Sequence, residues 1–167
     1  MKRRRSVVLV LAAIVLVALG AWVVEGWFLP ETAVRVDEAP PGLPGAAFME
    51  TLRSGPFEGK GGHHVSGVAM LVRSEGDFWL RFEDYEQTQG PDVFVYLTEG
   101  RQPGTAAEIE SGLRVRIDDG PDGGEIVKEG SFNQRLPGGL DAGRYKGVAI
   151  WCDQFNVLFG RAPLDAT

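Results

Sequence analysis

Cysteine is nearly absent from this 167-residue chain: Cys152 is the only one. A single thiol excludes an intrachain disulfide framework, a multi-cysteine zinc site and a C-x-x-C redox pair. Histidine is scarce as well, limited to His63 and His64, and the last of the three methionines is Met70. A blue-copper site takes two His, a Cys and usually an axial Met, and here no His follows Cys152. Basic charge is thin outside the N-terminus. Lys2, Arg3, Arg4 and Arg5 hold four of the 17 basic residues, which leaves 13 against 23 acidic ones. So acidic a body is repelled by a phosphate backbone, which argues against nucleic acid as a partner. No phosphate-cradling glycine motif precedes a helix, and Ser66-Gly67 lacks the G-x-S-x-G of a hydrolase elbow. Core material is plentiful: 44% of the chain is hydrophobic, with four Trp, three Tyr and nine Phe, which excludes intrinsic disorder. The length suits one domain with an appendage.

Ser6 to Val24 is a 19-residue run without a charged side chain. As a helix it would extend about 28 Å, close to the ~30 Å hydrocarbon thickness of a bilayer. The basic cluster at residues 1–5 precedes it and Glu25 follows, so the positive-inside tendency keeps the N-terminus cytoplasmic and sends the rest outside. Trp22, Trp27 and Phe28 suit the outer interface, and residues 6–28 are read as a single-pass anchor in the lipid bilayer of the cell membrane. Two rival readings are a cleaved signal peptide, whose apolar region is usually shorter, and a buried core helix.

Residues 29–54 read as a linker. Pro30, Pro40, Pro41 and Pro44 with Gly42 and Gly45 favour an extended spacer, and Ala46 to Ser54 can form one short helix ended by Gly55. Residues 55–167 then alternate. Ser66, Val68, Met70 and Val72 would share one face. Phe78, Leu80 and Phe82 alternate with Trp79, Arg81 and Glu83. Val93, Val95 and Leu97 alternate with Phe94, Tyr96 and Thr98, and Leu113, Val115 and Ile117 with Arg114, Arg116 and Asp118. Glu75-Gly76-Asp77, Gln89-Gly90-Pro91, Glu99-Gly100 and the Gly120–Gly124 stretch punctuate these runs. The pattern predicts an all-β fold, an antiparallel sandwich or barrel with one wet face per sheet, following the N-terminal transmembrane helix.

Cys152 ends the run Val148-Ala149-Ile150-Trp151-Cys152-Asp153. In a strand Val148, Ile150 and Cys152 point one way and Ala149, Trp151 and Asp153 the other. The thiol is either core filler beside Val and Ile or a redox or cofactor-ligating group. Its nearest charge, Asp153, would raise its pKa. His63 and His64 are adjacent, so in a strand a single metal would take only one of them, and no metal site is expected. Asp118, Asp119, Asp122 and Glu125 among glycines lack the ligand spacing of an EF-hand loop and read as a solvated turn. A nucleophilic hydrolase built on Cys152 lacks an activating neighbour.

Residues 55–164 resemble the DM13 family. The stretches that carry the resemblance are Gly55-Pro56-Phe57, His63-His64-Val65-Ser66-Gly67, Leu80-Arg81-Phe82-Glu83-Asp84-Tyr85, Gly90-Pro91-Asp92-Val93-Phe94-Val95-Tyr96-Leu97, Val148 to Cys152, Phe155 to Gly160, and Ala162-Pro163-Leu164. The chain departs from the family pattern at Asn133-Gln134, where a Tyr commonly follows the Asn, and in the loop at 120–129, which lacks a Leu-Lys-Gly element. The resemblance implies an extracytoplasmic β-domain in electron transfer, serving a redox partner protein, with Cys152 as redox thiol or as holder of a cofactor such as haem, or with no cofactor at all. It makes His63, Asp92 and Trp151 companions: His63 to hydrogen-bond or ligate, Asp92 to pin a turn, Trp151 to pack beside the thiol or pass electrons. The alternative is a non-catalytic extracytoplasmic binding or adhesion module in which Cys152 is core.

Overall fold

The computed structural model describes residues 11–21, 32–42 and 49–167. Turns rich in glycine and aspartate cut the chain into short extended runs, and the described residues pair into two sheets. In chain order the strands are β1 (Val34–Asp37), β2 (Glu50–Pro56), β3 (Glu58–Gly59), β4 (Val65–Ser74), β5 (Asp77–Gln87), β6 (Val93–Thr98), β7 (Leu113–Val115), β8 (Lys128–Arg135), β9 (Gly147–Cys152), β10 (Val157–Pro163) and β11 (Asp165–Ala166). One sheet has the order β1-β8-β5-β4-β2-β11 and the other β3-β10-β9-β6-β7. Only β1 with β8 is parallel; the other pairings are antiparallel. The expected all-β sandwich is what forms.

Alternation decides which side chains meet between the sheets. Val93, Val95 and Leu97 of β6 and Val148, Ile150 and Cys152 of β9 join Leu80 and Phe82 of β5 in one core. Their alternates Phe94, Tyr96, Ala149 and Trp151 face the other way and form a second cluster. That outer face is not wet. The short helix Ala106–Glu110, started by a Thr105/Glu108 capping box, lays Ile109 over it, so β6 and β9 are buried along their whole length. At the centre of the main core Phe82 stacks on Phe132 (4.5 Å between centroids) and Phe57 (5.9 Å), with Tyr85 edge-on at 5.1 Å. Such aromatic contacts add about 0.5–1.5 kcal/mol each beyond area burial.

The face expected for β4 forms, and it is the one turned away from the main core. Val65, Ala69 and Leu71 enter the core, not Ser66, Val68 and Met70. The bulge falls on β5, which advances three residues from Glu86 to Glu83 while β4 advances two from Ser66 to Val68. β5 therefore changes phase, burying Leu80 and Phe82 on one side of the bulge and Tyr85 and Gln87 on the other. Gly67 sits opposite at φ 98°, close against the backbone of Glu83–Tyr85. Alternation along β5 cannot be carried through the bulge.

The N-terminal third also departs from expectation. The helix foreseen over 46–54 is replaced in its described part by β2, because the edge of β4 is free to pair with it (Arg53 opposite Leu71, Ser54 opposite Met70). Residues 43–48 lie outside the described residues. Within the foreseen linker Val34–Asp37 adds β1 to β8, and Glu38 continues the attachment by accepting from the Asn133 backbone N–H at 3.0 Å. Buried Arg81 donates to the Glu38 carbonyl (3.2 Å), to Asn133 (2.9 Å) and to Glu83 (2.9 Å), so its charge is paired. Residues 11–21 are helical and exposed. Among the described residues no helix is long and apolar enough to cross a membrane, and the rest of the anchor expected at 6–28 lies outside them.

Gly130 holds β1 in place. It adopts φ 94°, and a Cβ on it would come 2.2 Å from the Val36 carbonyl oxygen. Gly130→Ala is expected to lower stability by more than about 1 kcal/mol and to release β1. Amide exchange would show it as lost protection at Val34 and Glu38, which donate to Val127 and Ser131, with the β4–β5 pair still protected.

Candidate functional site

Three strand ends meet at the only sulfur of the cysteine type. Register sets Val93 (start of β6) and Val157 (start of β10) on either side of Cys152 (end of β9). Cys152 has 0% exposure, and its Sγ–H donates to the Pro91 carbonyl at 3.1 Å. The Asp153 N–H donates to the Asp92 carbonyl at 2.9 Å, which ties the β9–β10 turn to the turn before β6. Asp92 makes that turn with φ 52°, a left-handed conformation that Asp tolerates better than most residues. Burial pushes the Cys152 thiol up, hydrogen bonds from the Phe155 and Gln154 backbone oppose it in part, and the Asp92 and Asp153 carboxylates add a lesser push upward. A nucleophilic thiol needs the reverse, an electropositive and open setting.

The histidines belong to the same end of the sandwich. His63 is half-buried, its ring stacked on Phe159 with centroids 3.6 Å apart and planes 8° from parallel. Phe159 is the extra residue of the bulge between Leu158 and Gly160, and its ring lies so close over Gly90 that a Cβ there would approach to 2.8 Å. His63 is therefore packed on the wall that carries the Gly90–Asp92 turn. His64 is exposed: its N–H donates to the Thr88 hydroxyl at 2.9 Å, and its Nε2 lies 3.3 Å from Ser66 Oγ. Neither imidazole hydrogen-bonds the sulfur.

Trp151 stands apart. It is 3% exposed on the outer face of β9, opposite to Cys152, with its Nε1 lacking a hydrogen-bond partner. It packs beside Phe94 and Tyr96, not beside the thiol. Two groups unmentioned among the sequence candidates join that face. Tyr96 Oη donates to Asp153 at 2.9 Å, and the Arg114 guanidinium lies 3.3 Å above the Phe94 ring while reaching Asp153 at 3.4 Å. Burial, followed by the bond to Asp153, pushes the Tyr96 hydroxyl up to about 12. Strand alternation places Tyr96 and Trp151 together, so this much was available from the sequence. The reach of Arg114 from β7 was not.

Among the described residues no three of His, Cys, Asp and Glu gather to hold a metal ion. The residues also do not fit a haem at Cys152, because Val93, Val157 and the Pro91 carbonyl leave the sulfur no open side for a macrocycle. Asp118, Asp119 and Asp122 lie in a turn, with the Asp118 N–H donating to Gln134 at 2.7 Å and Asp119 and Asp122 at positive φ.

What unites the sulfur's end is a sandwich whose resemblance-bearing stretches converge from separate strands: His63–Gly67, Gly90–Leu97, Val148–Cys152 and Phe155–Gly160. A family model described as electron transfer DM13 matches residues 57–164, and the chain belongs to the DM13 family. No curated protein and no solved structure matches it.

Both raised groups hold their protons more tightly folded than unfolded. Their contribution is therefore complete below the unfolded pKa and is lost as pH rises, for Tyr96 between 10.0 and about 12. Asp153→Asn is expected to bring the tyrosinate midpoint of Tyr96 down, read by ultraviolet titration. Cys152 is expected to stay unreactive towards a thiol reagent in the folded protein at neutral pH and to give one equivalent in denaturant.

Proposed function

We propose that the chain is an electron-transfer domain held at the cell membrane by residues 6–28, N-terminus cytoplasmic and residues 29–167 outside, with Cys152 as its redox centre. The observation that carries this reading is the meeting of the two most specific blocks at the sulfur: Cys152 donates to Pro91, and Asp153 to Asp92. His63, Asp92 and Phe159 act as supports that position the Gly90–Asp92 turn over the thiol. Chemistry at Cys152 begins with movement of that turn, since the Pro91 carbonyl caps the sulfur and cannot take its proton. With one thiol, a two-electron exchange stops at a mixed disulfide. With the turn moved, the Cys152 thiol gives its proton to solvent and its thiolate attacks a disulfide of the redox partner protein. An S–S bond to Cys152 forms as the partner's S–S bond breaks, and the partner's other sulfur leaves as thiolate. An oxidising compartment supports such a bond.

A second reading, a non-catalytic binding or adhesion module, has its own support in the complete burial of Cys152. Acid quenching and alkylation of native membranes separates the two. The electron-transfer reading expects an adduct that disappears with a reductant and with Cys152→Ser. Full electron exchange by Cys152→Ser, or a chain recovered only as free thiol, overturns it. The module reading expects Cys152→Ala to lose about 1–3 kcal/mol of stability with partner capture unchanged.

A further inference from the structure

β1 begins at the same end of the sandwich as the sulfur. The Val34 N–H donates to the Val127 carbonyl, the Ile126 N–H to the Val93 carbonyl, and Val93 is paired with Cys152. Three short links therefore join the first residue of β1 to the thiol. β1 runs parallel to β8, from Val34 opposite Lys128 towards Asp37 opposite Ser131, so residues 32 and 33 lead into it at this end. From residue 28 to Val34 there are six residue steps, which span at most about 22 Å when fully extended. The 29–54 segment is not a long stalk, because its residues 34–37 and 50–54 are strands of the domain.

This end also carries an exposed aromatic. Phe155 lies at 51% exposure in the turn between β9 and β10, directly after the Cys152-Asp153 pair. Of the nearby charges, Asp153 is engaged by Tyr96 and Arg114 and Lys60 by Glu58 at 2.6 Å, and the Asp92 carboxylate lies beside the sulfur.

We infer that the Cys152 end of the domain docks on the outer leaflet of the bilayer that holds its own anchor, with Phe155 entering the headgroup–acyl boundary. The inference rests on the anchor proposed for residues 6–28. A short tether fixes the end that meets the surface, and one aromatic side chain adds interfacial affinity that needs no anionic lipid. The occupant is the lipid surface itself, since a tether this short keeps the end at the membrane whatever partner arrives.

The test uses the full chain reconstituted in phosphatidylcholine vesicles containing a headgroup-nitroxide lipid. A fluorophore is attached at His64→Cys, on the sulfur's end, or at Gly138→Cys, past the far end of β8, where a side chain meets no neighbour. Quenching is expected to be several-fold stronger at 64 than at 138 and insensitive to salt. Adding Phe155→Ser to the His64→Cys chain should about halve the quenching there. Equal quenching at the two positions, stronger quenching at 138, or no effect of Phe155→Ser overturns the docking. Release of the chain by alkaline carbonate overturns the anchor, and the docking with it; retention with equal quenching overturns the docking alone.

Discussion

The register between β6 and β9 sets everything else about this end of the molecule. Val93 opposite Cys152, Val95 opposite Ile150 and Leu97 opposite Val148 put one set of side chains into the space shared with the Phe82–Phe132 stack. Because side chains alternate, a slip of one residue would carry the sulfur to the outer face and Trp151 into the core. The apolar content of the two faces differs little, so hydrophobicity alone is a weak arbiter. The turn contacts decide it: the Asp153 N–H on the Asp92 carbonyl and the sulfur on Pro91 are made in one register only.

The sulfur's surroundings then oppose each other chemically. Enclosure makes Cys152 a good packing residue and raises its proton affinity, while the two carboxylates next to it push in the same direction. Nothing nearby stabilises a thiolate strongly enough to compensate. The resting arrangement, with the Pro91 carbonyl over the sulfur, keeps the thiol enclosed.

Much of the sandwich was legible from period-two patterning. The alternations of β6, β7 and β9 place their core residues correctly, and Cys152 and Trp151 fall on opposite faces as any strand requires. Patterning failed where the backbone breaks its own phase. Between Phe82 and Tyr85 a bulge exchanges the faces of β5, and such a shift is visible only once β4 and β8 are alongside. It failed again at β1 and β2, whose few residues are held by partners far along the chain, by β8 through Gly130 and by β4. At the site, the closeness of Gly90–Asp92 to Cys152 follows from pairing 61 residues apart in sequence. The stacking of His63 on Phe159 needs the β10 bulge that lifts Phe159 out of register. Neither leaves a local signal.

The lone parallel pairing has a mechanical side. Four residues of β1 lie along β8 in one direction, so tension reaching the domain from its N-terminal side pulls along the strand axis and not across it. Such a load is shared by all the cross-strand bonds at once, whereas a strand peeled from its tip surrenders them singly. The first seam of the domain to feel a tug is thus also the one arranged to resist it in shear.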